Sequence, residues 1–87
     1  MTFEEFKTTI QNHGFPADSG HYNKFIRFYV FTIYPEKMED FELFRIFFEK
    51  NEWRVSSKKH GQDKKETREQ ELHKALEGHY CTLFGLN

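Results

Sequence analysis

Two long apolar segments dominate the pattern of hydrophobic and polar positions along the chain. Residues 24–34 and residues 41–48 together hold seven of the eleven phenylalanines. No helical stripe can be drawn through the first segment, and its β-branched and aromatic side chains favour a pleated surface. We therefore predict a strand over residues 23–34, which ends before Pro35 because proline cannot donate to a sheet ladder.

Residues 35–50 admit two interpretations. Pro35 suits the first position of a helix, and acidic residues follow it while Lys50 lies near the other end, as the helix dipole favours. However, the apolar residues of the segment 41–48 would surround a helix on all sides, whereas a strand divides them between two faces. We predict a strand that follows a hairpin loop over residues 35–40, and we keep the helix as the alternative.

A third strand and an N-terminal helix complete the first part of the prediction. Apolar and polar residues alternate over residues 53–58, which is typical of a strand with one buried face. Thr2 and Glu5 have the spacing of a capping box, in which each side chain binds the backbone amide of the other residue. With apolar residues on one stripe behind it, this box predicts a helix over residues 2–13.

A second helix is expected to begin at Asp63, which has capping-box spacing to Glu66. The apolar stripe that follows passes through Gly78, a residue type that disfavours the interior of a helix. We predict one long helix that ends before Gly85, and a stop at Gly78 is the competing prediction. The stripe consists of Leu72, Leu76, Tyr80 and Leu83.

These elements predict one small α+β domain over residues 1–87. Its order is a helix, a three-stranded antiparallel β-meander and a C-terminal helix. The alternative is an αβαβα arrangement in which residues 35–50 are helical. A chain of 87 residues has room for one core and little room for an internal cleft.

Composition indicates the cellular compartment of the protein more clearly than its function. The chain has 13 basic and 14 acidic residues, so its net charge of −1 indicates no class of partner. A single cysteine excludes an internal disulfide, which fits a reducing compartment. The N-terminal residues lack the features of a secretory signal, and no apolar run approaches the roughly 20 residues that span a bilayer. We expect a cytoplasmic protein with no membrane partner.

The residues that could carry chemistry do not form a recognisable site. His73, His79 and Cys81 lie six and two residues apart, which does not place metal ligands on one helical face. Cys81 as a nucleophile would need a positioned base, and the sequence around it indicates none. The five glycines are isolated and form no phosphate-binding loop. We therefore predict no enzyme activity, no metal, no cofactor and no small-molecule substrate.

The aromatic hairpin is the most informative feature for function. With Tyr34 opposite Phe41, both faces of the hairpin are apolar, so each face needs a cover. One helix on each face would close an ordinary core. Two helices on the same face would leave the other face exposed as an aromatic surface, and such surfaces are rare on monomers.

We therefore expect a non-catalytic protein-binding module, such as a small inhibitor or adaptor, whose partner is a larger protein or a second copy in a homodimer. The surface would combine aromatic residues with a few charges, as protein interfaces do. The predicted partner-binding residues are Phe28, Tyr34, Phe41, Leu43, Arg45, Phe47 and Glu49.

The alternative function is binding of DNA or RNA through the basic segment 54–68. This segment has six basic and two acidic residues, a local charge of +4 that could neutralise several phosphates. The predicted nucleic-acid-binding residues are Arg54, Lys58, Lys59, Lys64, Lys65 and Arg68.

Overall fold

A short amphipathic helix opens the fold. The structure, a computed structural model, describes residues 1–79. Helix α1 spans Phe3–Asn12, and the predicted capping box is present: Thr2 Oγ1 accepts from the Glu5 amide at 3.1 Å, and Glu5 Oε1 accepts from the Thr2 amide at 2.9 Å. Phe6 and Ile10 lie on the buried side of α1. The N-terminal helix is thus confirmed.

Five antiparallel strands form one sheet in which chain order and spatial order are the same. The number of three strands was therefore wrong, whereas the α+β class, the N-terminal helix, the antiparallel sheet and the C-terminal helix are confirmed. The strands are β1 (Gly20–Lys24), β2 (Phe28–Ile33), β3 (Phe41–Glu49), β4 (Glu52–Lys59) and β5 (Lys65–Glu69).

The segment predicted as one strand over residues 23–34 contains a hairpin tip. The amide of Phe25 donates to the carbonyl of Phe28 at 2.9 Å, which leaves Ile26 and Arg27 at the apex between β1 and β2. Neither apex residue has a positive φ. A turn of this kind needs no glycine or asparagine, so the usual sequence signal for a turn is missing.

Residues 35–50 form a strand after a single short turn, and the helical alternative for this segment is wrong. A 3₁₀ turn spans Pro35–Lys37, and β3 begins at Phe41. The β3–β4 hairpin closes through Lys50 and Asn51, whose φ angles of 54° and 57° are both left-handed, as a type I′ hairpin turn requires.

The predicted helix from Asp63 to a point before Gly85 is wrong in its first part. Residues 65–69 form the edge strand β5, which pairs with β4, and helix α2 is confined to Leu72–Glu77. Gly78 caps α2, as the competing prediction held. Charged side chains dominate β5, a composition that protects an edge strand from pairing with other chains. Tyr80 and Leu83 lie outside the described residues.

Both helices cover the same face of the sheet. One core cluster contains Phe6 and Ile10 of α1 as well as Leu72, Ala75 and Leu76 of α2. Its sheet residues form cross-strand rows, such as Phe31, Ile46 and Val55, on β2, β3 and β4. Aromatic stacking contributes to the packing, because the rings of Phe6 and Trp53 are parallel to within 11° at 5.6 Å.

Candidate functional site

The sheet has one face that neither described helix covers. Successive side chains of a strand point to opposite faces, and residues paired across strands share a face. Since the row of Phe31, Ile46 and Val55 points into the core, its neighbours along each strand point away from the helices. We call this side the open face. On the three central strands it carries Phe28, Val30, Thr32, Leu43, Arg45, Phe47, Glu49, Arg54, Ser56 and Lys58.

A shallow aromatic groove occupies the open face over β1, β2 and β3. The rings of Phe28 and Phe47 lie 6.2 Å apart, and Phe25 stacks on Phe28 at 4.6 Å. Val30 also lines the groove, and its side chain is buried. The groove encloses about 320 Å³ and is wide open to solvent. Its lining residues are His21, Asn23, Phe25, Phe28, Val30, Thr32, Arg45 and Phe47.

Arg45 places a positive charge beside these rings. It is exposed, and it lies opposite Thr32 on one side and Ser56 on the other. Within residues 1–79 it makes no ion pair or hydrogen bond. Two hydroxyl-bearing neighbours cannot neutralise a guanidinium, so Arg45 has no counter-charge among residues 1–79.

Arg54 is the contrasting cation on the same face. Its guanidinium contacts Glu49 at 3.2 Å and Glu66 at 3.3 Å, and it lies 3.8 Å from the centre of the Phe47 ring. These contacts hold Arg54 flat against the face and occupy both carboxylates. Burial alone would raise the pKa of the Glu66 carboxyl. The hydrogen bond from Ser56 and the contacts with Arg54 and Arg68 together outweigh burial, so this pKa is lowered.

All but one of the predicted partner-binding residues lie on or beside the open face. Phe28, Leu43, Arg45, Phe47 and Glu49 point to this side, and Tyr34 lies at its rim, where its ring packs 5.3 Å from that of His21.

The placement of Phe41 on this face was wrong. Phe41 is only 3% exposed and belongs to the core cluster, where its ring meets that of Phe44 edge-on. The pairing of β3 with β4 shifts between Phe41 and Leu43, and such a bulge reverses the side to which the preceding residue points. The β2–β3 register pairs Phe31 with Ile46, two residues from the predicted alignment, and a shift of two preserves the faces.

Most cations of the basic segment are already engaged within the chain. Lys58 binds Glu42, Lys65 donates to the carbonyl of Gly78, and Arg68 pairs with Glu66. Arg54 is paired as described, and Lys59 lies 5.4 Å from the Phe41 ring. Lys64 is the one cation of the six that has no partner among residues 1–79.

A buried hydrogen-bond network joins α2 to the sheet beneath it. His79 is 2% exposed and lies between the hydroxyls of Ser57 and Thr67. Because the Thr67 hydroxyl donates to the carbonyl of Ala75, its oxygen accepts from His79 Nε2 at 2.9 Å. His79 Nδ1 then accepts from Ser57. Each hydroxyl hydrogen is thus committed to a bond that fastens the end of α2.

His79 is held in its neutral form. Burial, and then the charge of Lys65, lower the pKa of its imidazole to about 4, and the backbone of Val55 opposes them only partly. In this neutral form the imidazole accepts from Ser57 and donates to Thr67, and so links the end of α2 to the sheet.

The described part of the chain holds neither a cluster of metal ligands nor a membrane-spanning helix. Within residues 1–79, no three His, Cys, Asp or Glu side chains come together in a way that could hold a metal ion. Cys81 lies outside this range, so its predicted inertness stays a prediction. No helix formed by residues 1–79 is long and apolar enough to cross a membrane.

Two features were missed by sequence reasoning. The exposed hairpin tip at Ile26 lies inside an apolar run without any turn-forming residue, so no signal was present. The bond between Ser57 and His79 joins residues 22 positions apart, and the alternation that predicted a buried Ser57 was the one sequence pattern that pointed to it.

Comparison with protein-family models, curated proteins and solved structures gives no match for this chain.

Proposed function

We propose that the chain is a non-catalytic protein-binding module that receives a partner protein in the aromatic groove of the open face. The observation that carries the proposal is that both helices pack on one face of the sheet. The other face then presents Phe28 and Phe47 together with the charge of Arg45, which is unpaired among the residues that the structure describes. Aromatic rings beside an arginine are the combination most enriched in protein interfaces.

The groove favours a partner segment that carries an acidic side chain next to an apolar one. The apolar group would lie over the contacting rings of Phe28 and Phe47, and the carboxylate would reach Arg45. Both contacts favour binding, because the apolar surface of the rings is removed from water and the guanidinium gains a bidentate hydrogen-bond acceptor.

A second copy of the chain is the less suitable occupant. In a two-fold symmetric dimer each surface meets itself, so Arg45 would approach the equivalent arginine or need an acid from the same face. The sheet acids of that face all have partners within the chain: Glu49 and Glu66 pair with Arg54, Glu52 with Arg68, and Glu42 with Lys58. We therefore favour a different protein over the homodimer.

The nucleic-acid alternative has weaker support. Phosphate binding through Arg54, Lys58 or Arg68 would require the existing ion pairs to be broken. The acids in those pairs also lie on the surface that phosphates would approach, and they would repel them. The +4 charge of the segment therefore overstates its attraction for a polyanion.

Affinity capture from the lysate of the native host tests the proposal. The tagged chain is captured with and without nuclease, and bound proteins are identified and then purified for a direct binding measurement. We expect one protein at a stoichiometric level that nuclease does not remove. Arg45→Glu should weaken direct binding by at least about thirtyfold, because a buried partner carboxylate would then face a like charge.

Lys64→Glu is the matched control. It makes the same charge reversal at an exposed lysine without a partner in the described chain, on the loop before β5. We expect its affinity for the partner to equal that of the unchanged protein. Capture that disappears with nuclease, or equal losses in the two variants, would contradict the proposal.

A further inference from the structure

The β1–β2 hairpin ends in an apolar tip that projects into solvent. Ile26 is 100% exposed and Phe25 is 47% exposed. The turn does not need an isoleucine at position 26, because its apex has ordinary φ angles that polar residues adopt equally well. Phe25, beside the apex, stacks on Phe28 and also lines the edge of the aromatic groove. Within residues 1–79, neither packing nor turn geometry therefore accounts for an isoleucine at the apex of this solvent-exposed turn.

Three cations that have no side-chain partner in the described part of the chain surround this tip. Lys24 and Arg27 flank it in the chain, and Lys50 lies on the neighbouring β3–β4 turn at the same end of the sheet. Within residues 1–79, none of the three makes an ion pair or hydrogen bond with a side chain. The nearest acids, Glu49 and Glu52, are engaged by Arg54 and Arg68. We call the group Lys24, Phe25, Ile26, Arg27 and Lys50 the basic tip.

The geometry points to an anionic lipid surface as the ligand of the basic tip. The two apolar side chains would enter the boundary between headgroups and acyl chains, and the three cations would remain at the level of the lipid phosphates. Reversible attachment of this kind combines a small apolar insertion with attraction to anionic headgroups. It needs no membrane-spanning segment, and it goes beyond the proposed protein-binding function of the open face.

A lipid surface suits the basic tip better than a second macromolecule does. A protein interface that is stable on its own covers roughly 800 Å² on each partner, whereas a turn with two apolar side chains offers far less. Nucleic-acid binders stack bases on aromatic rings, but the residue that projects furthest here is aliphatic. Ile26 gains only by entering an apolar medium, which a bilayer supplies without a shaped pocket.

Co-sedimentation with vesicles tests this inference on the full chain. Vesicles of phosphatidylcholine alone are compared with vesicles that contain about 30% phosphatidylserine, at low and at high salt. We expect binding to the anionic vesicles only, and weaker binding at high salt because the attraction is screened. Equal affinity for the two kinds of vesicle, or no binding to either, would overturn the inference.

Variants assign the binding to the tip. The triple change Lys24→Gln, Arg27→Gln and Lys50→Gln should reduce partition on the order of a hundredfold, at about fivefold per cation. Ile26→Ser should reduce it about tenfold without a change in charge. Lys64→Gln is the matched control and should retain full partition.

The variants also distinguish lipid binding from loss of folding and from binding of another polyanion. All of these side chains are solvent-exposed, so thermal unfolding should remain unchanged and loss of folding would not account for loss of binding. An unaffected Ile26→Ser variant would overturn the insertion. Binding to heparin or duplex DNA with the same sensitivity to the triple change, but without vesicle binding, would replace the lipid by another polyanion.

Discussion

Acidification from pH 7 to pH 5 should weaken the fold through His79. In the folded protein this imidazole is buried between Ser57 and Thr67, and its pKa is lowered to about 4 from an ordinary 6.5. A proton would remove the lone pair that accepts from Ser57 and would add a charge close to Lys65. The unfolded chain has neither obstacle, so it takes up the proton near pH 6.5.

The sign and size of the effect follow from this difference. Because the folded-state pKa is depressed, the stability contribution is fully present above pH 6.5 and declines as the pH falls from 6.5 towards 4. At about 1.4 kcal/mol per pH unit, the loss reaches about 2 kcal/mol at pH 5 and about 3 kcal/mol at pH 4. A domain of this size has roughly 5–10 kcal/mol of stability, so the change is measurable.

Urea unfolding at pH 7, 6 and 5 provides the assay. Trp53 is the single tryptophan, and it is buried against Phe6, so its fluorescence reports loss of the core. The window stops at pH 5 because Glu5, Glu42 and Glu66, whose pKa values are lowered, add their own losses in more acidic solution.

Two variants isolate the contribution of His79. His79→Asn retains an acceptor for Ser57 but cannot titrate, so it should lose about 2 kcal/mol less than the unchanged protein between pH 7 and pH 5. His73→Asn, which removes an exposed histidine from α2, is the control for the loss of an imidazole elsewhere in this part of the chain. Equal pH dependence in His79→Asn and the unchanged protein would refute the reasoning, whatever their stabilities at pH 7.

Three further predictions use the same unfolding assay. Phe44→Ala in the core should cost about 3–5 kcal/mol, whereas Phe28→Ala on the open face should cost roughly half as much or less; equal losses would mean that the open face is covered. Gly20→Ala should cost about 1–3 kcal/mol, because its Cβ would lie 2.0 Å from the carbonyl oxygen of Thr32; an unchanged midpoint would contradict the close approach of β1 to β2. Thr2→Ala should cost about 1 kcal/mol by removing the cap of α1, and no loss would mean that the box is not formed in solution.

Sequence patterns were sufficient where the local and the tertiary preferences agree. The capping box at Thr2 and Glu5 predicted the start of α1, and the alternation over residues 53–58 predicted β4. In the segment 41–48 the division of apolar residues between two faces correctly favoured a strand over a helix. Each of these signals is carried by neighbouring residues alone.

The missed strands have no such local signal. β5 is charged on both sides, and it is a strand because its backbone completes the edge of β4 and because Thr67 packs beneath α2. The same residues have good helix propensity, which the capping-box spacing of Asp63 and Glu66 reinforced. Tertiary pairing outweighed that propensity, as it often does for short polar segments.

The sequence predicted which residues share the open face, but it did not predict that both helices would leave this face uncovered. Alternation alone assigned Phe28, Arg45 and Phe47 to one face. Whether a helix would cover that face depends on the direction in which each helix leaves the sheet, which sequence periodicity does not encode. The bulge that moves Phe41 into the core is likewise a property of the paired strands.

Site-specific photocrosslinking in the native host would show directly whether a partner protein occupies the aromatic groove. A photoreactive amino acid is placed at Phe47 in the aromatic groove, and in a second variant at Lys7 on the outer side of α1. The open-face account predicts a discrete crosslink to one other protein from position 47 and none from position 7. A crosslink from position 7 alone, or one from position 47 to a second copy of the chain only, would contradict it.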